Sequence, residues 1–421
     1  MQVLYERCAA IDVGKDVIVI AVRLPGDSPG GRKTVKRPYK TFYGVLAEAA
    51  KWLASLGVTH VAMEATGIYS MPVYHALLEH GDFEKVLVCN AGHVKNVPGR
   101  KTDMADAEWL VQLLECGLLA GSFIPEAKVK AVRDVIRYRK KVSESRTSEI
   151  QRLGNVLQDA GIKLDSVASS VATKSGRAMI EALIDGERRG AVLADLAKGV
   201  MRRKIPDLSM ALEGRFGDHH ALMCRLHLDH IDHLDAMLGK LDAQIEAMTE
   251  PFRTTAGLLT TIPGIGPLAA AGVISEIGDD VRAYFPDAAH LASWTGLCPA
   301  NNESAGRHRP ARRRKGNEHL QSLLVECAWS AVRHPGYLKS LYHRHVMKWG
   351  GYRSKLAKKK AIMVVAHAMT VTIWHVLATG KPYDELGEDY FTRRQDPERE
   401  TRRLVQKLEA LGHTVILEAA A

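Results

Sequence analysis

The chain contains 421 residues, of which 46% are hydrophobic and 25% are charged, and its formal net charge is +10. This length exceeds one ordinary hydrophobic core, so we expect two or three domains. The composition excludes a disordered or fibrous chain, and the positive charge favours a polyanionic partner. The six scattered cysteines lack a CxxC pair, which indicates reduced thiols in a cytoplasmic protein rather than a disulfide framework or a zinc site.

Residues 1–125 predict a mixed α/β domain. Strands rich in Val and Ile come first, and the Gly14-Lys15 pair suits a hairpin turn between the first two. Helices and strands then alternate. The predicted strands cover residues 4–11, 16–23, 34–41, 58–63 and 85–89, and the predicted helices cover residues 43–56 and 70–79. A hairpin-led sheet followed by such an alternation predicts a ribonuclease-H-like α/β domain.

Four acids lie where this domain would form a site. Asp12 ends the first strand and Glu64 follows a later one, and sites in open α/β sheets form at the carboxyl ends of strands. Asp103 and Asp106 lie at the start of a further predicted helix, and their side chains project from the same face of it. Clustered carboxylates suit Mg²⁺, and two such ions can hold the attacking and leaving oxygens of a phosphodiester. The alternative is one capping acid and one solvated acid.

Residues 126–250 predict a helical region. It begins with a long exposed helix at 128–159, and apolar residues spaced by three and four follow at 231–248. This spacing is typical of a coiled-coil seam or of a bundle helix that packs within its own chain. Three histidines three residues apart, His227, His230 and His233, lie at the start of this seam. They indicate either a metal site or, because no ligand spacing is matched, a solvated helix face.

Residues 251–380 predict a mostly helical domain. At 258–271 a helix, a glycine-rich turn and a second helix resemble a helix-hairpin-helix segment. The turn Pro263-Gly264-Ile265-Gly266 offers backbone N–H groups to a phosphate, or it uses glycine for packing alone. The apolar stretch 361–378 is interrupted by histidines and threonines, so we expect a buried helix and no membrane span.

The densest basic segment of the chain surrounds one serine, Ser304. Residues 301–360 contain 15 lysines and arginines but only three acids. Aromatic residues are interleaved with these charges, which predicts contact with nucleic-acid phosphates, although a charge run is also typical of a solvated face. The predicted contact residues are Arg307, Arg309, Arg312, Arg313, Arg314 and Lys315. The tail at 381–421 is predicted to carry a peripheral amphipathic helix.

Five motifs spread over nearly the whole chain are specific as a set. They are Ala10-Ile11-Asp12-Val13-Gly14-Lys15, Met63-Glu64-Ala65-Thr66-Gly67, Lys101-Thr102-Asp103-Met104-Ala105-Asp106-Ala107, Ile262-Pro263-Gly264-Ile265-Gly266, and Trp294-Thr295-Gly296-Leu297-Cys298-Pro299 running into Ser304-Ala305-Gly306. With them the chain resembles transposases of the insertion-sequence 110 family, which are described as bridge-RNA-guided recombinases.

The resemblance implies an acidic quartet in a Holliday-junction-resolvase-like domain and a nucleophilic serine in a C-terminal transposase domain. The quartet maps onto Asp12, Glu64, Asp103 and Asp106. The serine maps onto Ser304, the first residue of a serine-serine-glycine motif in many relatives, whose second serine is replaced here by Ala305. The resemblance also implies a coiled coil between protomers, a tetramer built from dimers with a site shared between subunits, and a noncoding bridge RNA that pairs with donor and target DNA.

We therefore predict a transposase that acts on DNA at the bacterial nucleoid. A serine hydroxyl is a weak nucleophile and needs activation, which Mg²⁺ held by carboxylates can supply. A covalent phosphoserine would conserve the bond energy of the cut strand, so it favours recombination over hydrolysis. Two alternatives stay open: a metal-dependent junction nuclease without serine catalysis, and a non-catalytic nucleic-acid binder whose acids are structural.

Overall fold

A computed structural model describes residues 3–28, 30–90, 106–299, 303–304, 306–308, 315–394 and 397–417. The chain divides into two compact units, Met1–Ile124 and Pro125–Ala421. The predicted boundaries near residues 250 and 380 fall inside the second unit, and the division into four parts stays a prediction. Some predicted site residues lie outside the described residues, namely Asp103, Arg309, Arg312, Arg313 and Arg314.

The first unit contains one mixed five-stranded sheet. Its strands are β1 (Cys8–Val13), β2 (Val17–Pro25), β3 (Arg32–Lys40), β4 (His60–Glu64) and β5 (Lys85–Cys89). They lie in the order β3-β2-β1-β4-β5. The strand β2 runs antiparallel to both β1 and β3, whereas β4 runs parallel to both β1 and β5. The mixed α/β sheet predicted from the sequence is thereby confirmed.

Helices cover both faces of this sheet. They are α1 (Tyr43–Ser55), α2 (Ser70–His80), which follows a 3-10 turn at Gly67–Tyr69, and α3 (Asp106–Glu115). Alternate residues of a strand point to opposite faces. Ile11 of β1 accordingly packs with α1 and α2, whereas its neighbour Ala10 packs with α3. Burial on both faces explains why β1 and β4 are apolar almost throughout.

A buried acid ends α3. Glu115 is 4% exposed, and its carboxylate accepts hydrogen bonds from Arg32 Nε at 2.5 Å and from Arg23 Nη2 at 3.1 Å. These charge-assisted bonds connect the end of α3 to β2 and β3. Because the helix ends at this residue, Leu118 is exposed although its spacing in the sequence continues the helical pattern.

Two long antiparallel helices dominate the start of the second unit. Its first helices are α4 (Ala127–Asp159), α5 (Leu164–Val167), α6 (Lys174–Ile184), α7 (Gly190–Asp195), α8 (Ile205–Ala211) and α9 (Asp218–Thr249), with 3-10 turns at Gly199–Lys204 and Glu250–Phe252. Arg139 and Arg146 of α4 pair with Asp242 and Asp235 of α9, respectively.

The predicted apolar seam lies on α9. Ile231, Leu234 and Ile245 are buried within the chain, and Ile231 belongs to a core that also contains Leu153 and Leu157 of α4. The seam therefore packs at least partly as a bundle helix packs, against its own chain. A coiled coil between protomers stays a prediction.

The rest of the second unit forms a helical core around one long helix. The elements are α10 (Arg253–Thr260), α11 (Pro267–Ile277), α12 (Val281–Tyr284), α13 (Ala288–Thr295), β6 (Glu303–Ser304), β7 (Arg307–His308), α14 (Glu318–Ala331), α15 (Tyr337–Lys348), α16 (Lys355–Thr379), α17 (Tyr390–Arg393) and α18 (Pro397–Ala410). By length and composition α16 could cross a membrane. It instead contacts α10, α13, α14 and α15 and contributes Val365, Met369 and Ile373 to the core.

Candidate functional site

Two acids of the predicted quartet lie side by side at the end of the sheet. Ile11 of β1 pairs with Met63 of the parallel strand β4, so Asp12 and Glu64 occupy the next position in register. Adjacent strands are about 4.8 Å apart. Asp12 has the same orientation as Ala10, which packs with α3, so its carboxylate points to the face of the sheet that α3 covers.

A third acid of the quartet begins the helix on that face. Asp106 is the first residue of α3 and is exposed, whereas Asp12 and Glu64 are half-buried. Burial of the carboxyl group and the negative charge of Asp106 both raise the pKa of Asp12 above its ordinary value. Burial and, to a smaller extent, the carboxylate of Glu64 raise the pKa of the Cys89 thiol to about 11. Negative charge is thus concentrated at this end of the sheet.

The donor set fits a hard divalent cation. Two carboxylates that repel each other when ionised are stabilised by a cation between them, and carboxylate oxygens are the ligands that Mg²⁺ prefers. Within the described ranges, however, no group of three or more His, Cys, Asp or Glu side chains is arranged to hold a metal ion. Asp103, the fourth member of the predicted quartet, lies outside those ranges.

The predicted nucleophile lies in a short β-hairpin. Ser304 of β6 is directly opposite Arg307 of β7, and Gly306 belongs to the two-residue turn between the strands. These two strands were not predicted from the sequence. Arg307 and Lys315 are exposed, as a phosphate contact requires. In the hairpin register, Ser304 pairs with Arg307 and Glu303 pairs with His308.

The segment that carries this hairpin is closed at its base. Gly296 ends α13, and a side chain at Gly316 would come within 2.4 Å of the backbone nitrogen of Gly296, so only glycine fits there. The backbone N–H of Asn317 donates to Trp294 O at 3.1 Å, and Gln321 Nε2 donates to Gly296 O at 3.0 Å. These contacts hold Trp294 and Gly296, before the hairpin, next to Gly316, Asn317 and Gln321, which follow it.

A buried carboxylate supports this point. Glu276 of α11 is 3% exposed and accepts hydrogen bonds from Asn317 Nδ2 at 2.6 Å and from Arg137 Nε at 2.8 Å. Arg133 Nε lies 3.7 Å from the same carboxylate. Burial opposes ionisation of Glu276, but the bonds from Arg137 and Asn317 and the charge of Arg133 hold its pKa below the ordinary value. Glu276 therefore connects α4, α11 and the N-terminus of α14.

The glycine-rich turn between α10 and α11 uses its two glycines differently. Gly264 has a φ of +85°, and a Cβ there would come within 2.3 Å of Cys327 O on α14. A Cβ on Gly266 would meet nothing within 4 Å. Gly264 thus allows close helix packing, whereas Gly266 immediately precedes α11 and a Cβ there would lie in open space. The packing alternative accounts for Gly264.

The three histidines on α9 do not form a metal site with their neighbours. His227 Nδ1 is 2.8 Å and His230 Nδ1 is 3.2 Å from Glu149 Oε1, while His233 is exposed. Glu149 is 5% exposed. Burial opposes its ionisation, but hydrogen bonds from His227, Arg152 and His230 hold its pKa at about 2. Two of the histidines therefore pair with a buried acid of α4.

Sequence analysis missed three buried acids, which are Glu115, Glu149 and Glu276. The signal was present for Glu276, because it is the one charged residue in the apolar run of α11. An acid in such a run is rarely buried without a cationic partner. The sequence did not identify the partner, since Arg133 and Arg137 are about 140 residues away along the chain.

Two family models match the segments that contain these sites. Residues 9–162 match a model of the DEDD type of IS110 elements, described as a transposase. Residues 256–343 match a second model, described as the transposase IS116/IS110/IS902 family. The first segment includes Asp12, Glu64 and Asp106, and the second includes Ser304 and Arg307. Both matched models are described as transposases.

The two models together assign the family, and the chain belongs to the IS116/IS110/IS902 family of transposases. A Sinorhizobium fredii protein named as a transposase, y4pF/y4sB, is 24% identical over 338 residues, which are 80% of this chain and 77% of that protein. The transposase for insertion sequence element IS1111A of Coxiella burnetii is 22% identical over 393 residues, 90% of this chain and 91% of that protein. The pilin gene-inverting protein of Moraxella bovis is 29% identical over 164 residues, 37% of this chain and 48% of that protein.

Proposed function

We propose that this transposase cuts and rejoins donor and target DNA through a covalent phosphoserine at Ser304, with Mg²⁺ held by Asp12, Glu64, Asp103 and Asp106. The observation that carries the proposal is the pair of strand-end acids, Asp12 and Glu64, beside the first residue of α3. Burial and the charge of Asp106 raise the pKa of Asp12, which supports a site that a divalent cation stabilises. The strand order supports a ribonuclease-H-like, resolvase-like domain.

The carboxylates and the serine have separate roles in this mechanism. When bound, Mg²⁺ supplies positive charge that offsets the charge of the scissile phosphate. The four carboxylates would hold that cation. Ser304 supplies the oxygen that attacks phosphorus, and it must lose its hydroxyl proton to a basic group to do so.

The proposed exchange balances without an external energy source. The Ser304 Oγ–P bond forms as the bond from phosphorus to a deoxyribose oxygen breaks, and a proton passes to that departing oxygen. In rejoining, a deoxyribose hydroxyl of the new strand partner attacks phosphorus and Ser304 Oγ leaves with a proton. One phosphoester replaces another in each step. The proposed phosphate contacts are Arg307, Arg309, Arg312, Arg313, Arg314 and Lys315, by charge-assisted hydrogen bonds.

The decisive experiment compares the wild type with Ser304→Ala. We expect the variant to lose strand cleavage and the denaturant-resistant protein–DNA adduct, because the nucleophilic oxygen is gone. Ser145→Ala removes an exposed serine hydroxyl of α4 and serves as the matched control. Cleavage by Ser304→Ala at the wild-type rate without an adduct would show a metal-dependent junction nuclease. Unchanged DNA processing by Asp12→Asn would make the acids structural.

A mixing experiment tests the shared site and the oligomer. We propose a tetramer built from dimers in which the acids of one protomer act with Ser304 of another. A mixture of Asp12→Asn and Ser304→Ala protomers should then recover part of the cleavage that each variant lacks alone. Failure of the mixture to cleave, although the variants co-assemble, would place both groups in the same protomer.

RNA guidance is a further part of the proposal. A basic surface can hold a guide, and guided systems leave sequence recognition to base pairing. We propose a noncoding bridge RNA that pairs with donor and target DNA. Sequencing of RNA that co-purifies with the protein from expressing cells should yield one discrete species. Recovery of no discrete RNA would remove the guide and leave the recombinase proposal intact.

A further inference from the structure

A large cleft lies in the second unit, and the residues that line it follow the Ser304 hairpin later in the sequence. It has a volume of about 860 Å³ and is formed by α15 and by the tail that follows residue 381. Among the side chains that the structure describes, four permanently cationic residues line it, and Glu388 is the one acid that does so. The cationic residues are Lys339, Arg344, Lys348 and Arg403.

The cations of α15 share one face of that helix. Two rows of side chains spaced by four residues lie next to each other on this helix. One row contains Lys339, His343 and Met347, and the other contains Arg344 and Lys348, so all five project to the same side. These side chains are exposed rather than packed into the core. Like charges in one concave surface raise the local positive potential and attract a polyanion.

Apolar and aromatic groups lie between these cations. The Tyr352 side chain is 48% exposed, and its hydroxyl is 3.1 Å from His343 Nδ1. The Arg344 guanidinium carbon is 4.8 Å from the ring centroid of Phe391. Met347 is 56% exposed. Cations next to exposed aromatic and thioether surface suit a chain whose bases are free to stack, because each base has a π face.

The tail wall of the cleft is fixed to α15 by specific contacts. Glu385 Oε1 accepts the backbone N–H of Tyr337 at 2.7 Å, and Ser340 Oγ donates to Glu388 O at 2.8 Å. The Tyr337 and Phe391 rings stack with their centroids 5.5 Å apart. The matched family segment ends at residue 343, so this wall lies outside it. The cleft thus joins the end of the matched segment to residues that lie beyond it.

We propose that this cleft binds a single-stranded nucleic-acid segment. Lys339 and Lys348 neutralise the phosphates, and a base stacks on Tyr352. The inference rests on the proposed function in one respect, because that function provides nucleic acid as the partner. A duplex satisfies the phosphate contacts but keeps its bases stacked in the helix, so it gains nothing from Tyr352.

The charge test uses the full chain and a fluorescein-labelled oligothymidylate, with binding followed by anisotropy between about 50 and about 200 mM salt. The double variant Lys339→Gln/Lys348→Gln should bind more weakly. The slope of log K against log salt should fall by about 1.4, since each single-strand phosphate contact contributes about 0.7. Lys174→Gln/Lys240→Gln removes two exposed lysines elsewhere in the unit and should leave the slope unchanged.

The stacking test separates single strands from duplex. Tyr352→Ala should weaken binding of the labelled single strand roughly 5-fold or more, while binding of the same sequence as duplex should not change. Tyr138→Ala removes an equally exposed tyrosine of α4 and is the matched control. Parallel titrations with oligouridylate RNA establish whether the bound strand is DNA or RNA.

Each outcome decides the inference without deciding the proposed function. Unchanged binding in both cleft variants would exclude nucleic acid from the cleft, whatever Ser304→Ala does to cleavage. If Lys339→Gln/Lys348→Gln weakened the binding of single strand and duplex equally, and Tyr352→Ala changed neither, the cleft would bind duplex. That result would overturn the single-strand assignment. Absence of strand cleavage by the wild type would contradict the recombinase proposal but would not affect the conclusion drawn from the anisotropy measurements.

Discussion

Asp12 shows how one residue acquires its properties from its neighbours. In the sequence it is an acid that ends an apolar strand, and this position alone predicted a site. In the structure it is half-buried on the face covered by α3 and close enough to Asp106 for the two charges to interact. Burial and like charge both disfavour the ionised form, which is the form that binds a cation.

The pH dependence of Asp12 follows from this environment. A raised pKa means that Asp12 takes up a proton at a higher pH than an ordinary aspartate. Protons compete with the cation for this carboxylate, so Mg²⁺ binding at Asp12 should weaken as the pH falls, from a higher pH than at an ordinary aspartate. Asp106→Asn removes one of the two causes and should lower the pKa of Asp12, as measured by NMR titration of its carboxyl carbon without metal.

Asp16→Asn is the matched control for this titration, because Asp16 is an exposed acid next to the start of β2. It should leave the pKa of Asp12 unchanged. The same samples test the cation site, since Asp106→Asn should also weaken Mg²⁺ binding measured by the shift of the Asp12 signal. A pKa of Asp12 that does not respond to Asp106→Asn would show that the two acids are not electrostatically coupled.

At the scale of elements, the turn between α10 and α11 shows that one motif can contain two kinds of glycine. The sequence offered phosphate binding and helix packing as alternatives for the whole turn. The structure separates them by position, because Gly264 faces the backbone of α14 and Gly266 faces open space. The backbone conformation of Gly264, with its positive φ, adds a second reason for glycine at that position.

Alanine substitutions at these two positions should differ in their effect on stability. Gly264→Ala should lower the free energy of unfolding by about 3 kcal/mol, because it combines a strained φ with a clash against α14. Gly266→Ala should cost less than about 1 kcal/mol, as at an ordinary helix start. Urea denaturation followed by tryptophan fluorescence measures both. Equal losses at the two positions would contradict the close packing of Gly264.

At the scale of the whole molecule, the second unit joins parts of the chain that the sequence assigns to separate domains. Glu276 of α11 is hydrogen-bonded to Arg137 of α4 and to Asn317 at the start of α14. The predicted boundary near residue 250 therefore separates segments that share a buried ion pair. The base of the Ser304 hairpin segment depends on the same group, because Asn317 belongs to both.

Glu276→Gln tests the importance of this connection. Loss of the carboxylate leaves Arg133 and Arg137 without their buried counter-charge, so we expect a loss of about 3 kcal/mol in the free energy of unfolding. The pKa of Glu276 is lowered in the folded protein, so its contribution is present at neutral pH and is lost as the pH falls through that lowered value. The difference between wild type and variant should accordingly shrink in acid.

Glu246→Gln, which changes an exposed acid of α9, is the control for the denaturation curves and should be nearly neutral. Strand cleavage measured well below the denaturation midpoint adds a second readout. If the network positions the Ser304 segment, Glu276→Gln should also slow cleavage in fully folded protein. Wild-type stability in Glu276→Gln would show that the buried pair contributes nothing net.

The sequence by itself determined the local features of this protein. Alternation and apolar runs specified the strands and helices of the first unit, because hydrophobic periodicity depends on residues close together in the chain. Motifs specified the family, and spacing alone placed Asp12 and Glu64 at strand ends. Composition predicted a nucleic-acid partner. The apolar character of residues 361–378 identified a helix that the structure places in the core.

Only the tertiary structure decided which distant residues meet. It paired Glu276 with arginines about 140 residues away, placed Gly264 against α14, and packed the α9 seam on α4. It also formed the cleft between α15 and the tail. These features depend on contacts between segments that are far apart in the sequence, and neither periodicity nor composition records such contacts. A charged residue within an apolar segment indicates from the sequence that a partner must exist. Only the fold identifies that partner.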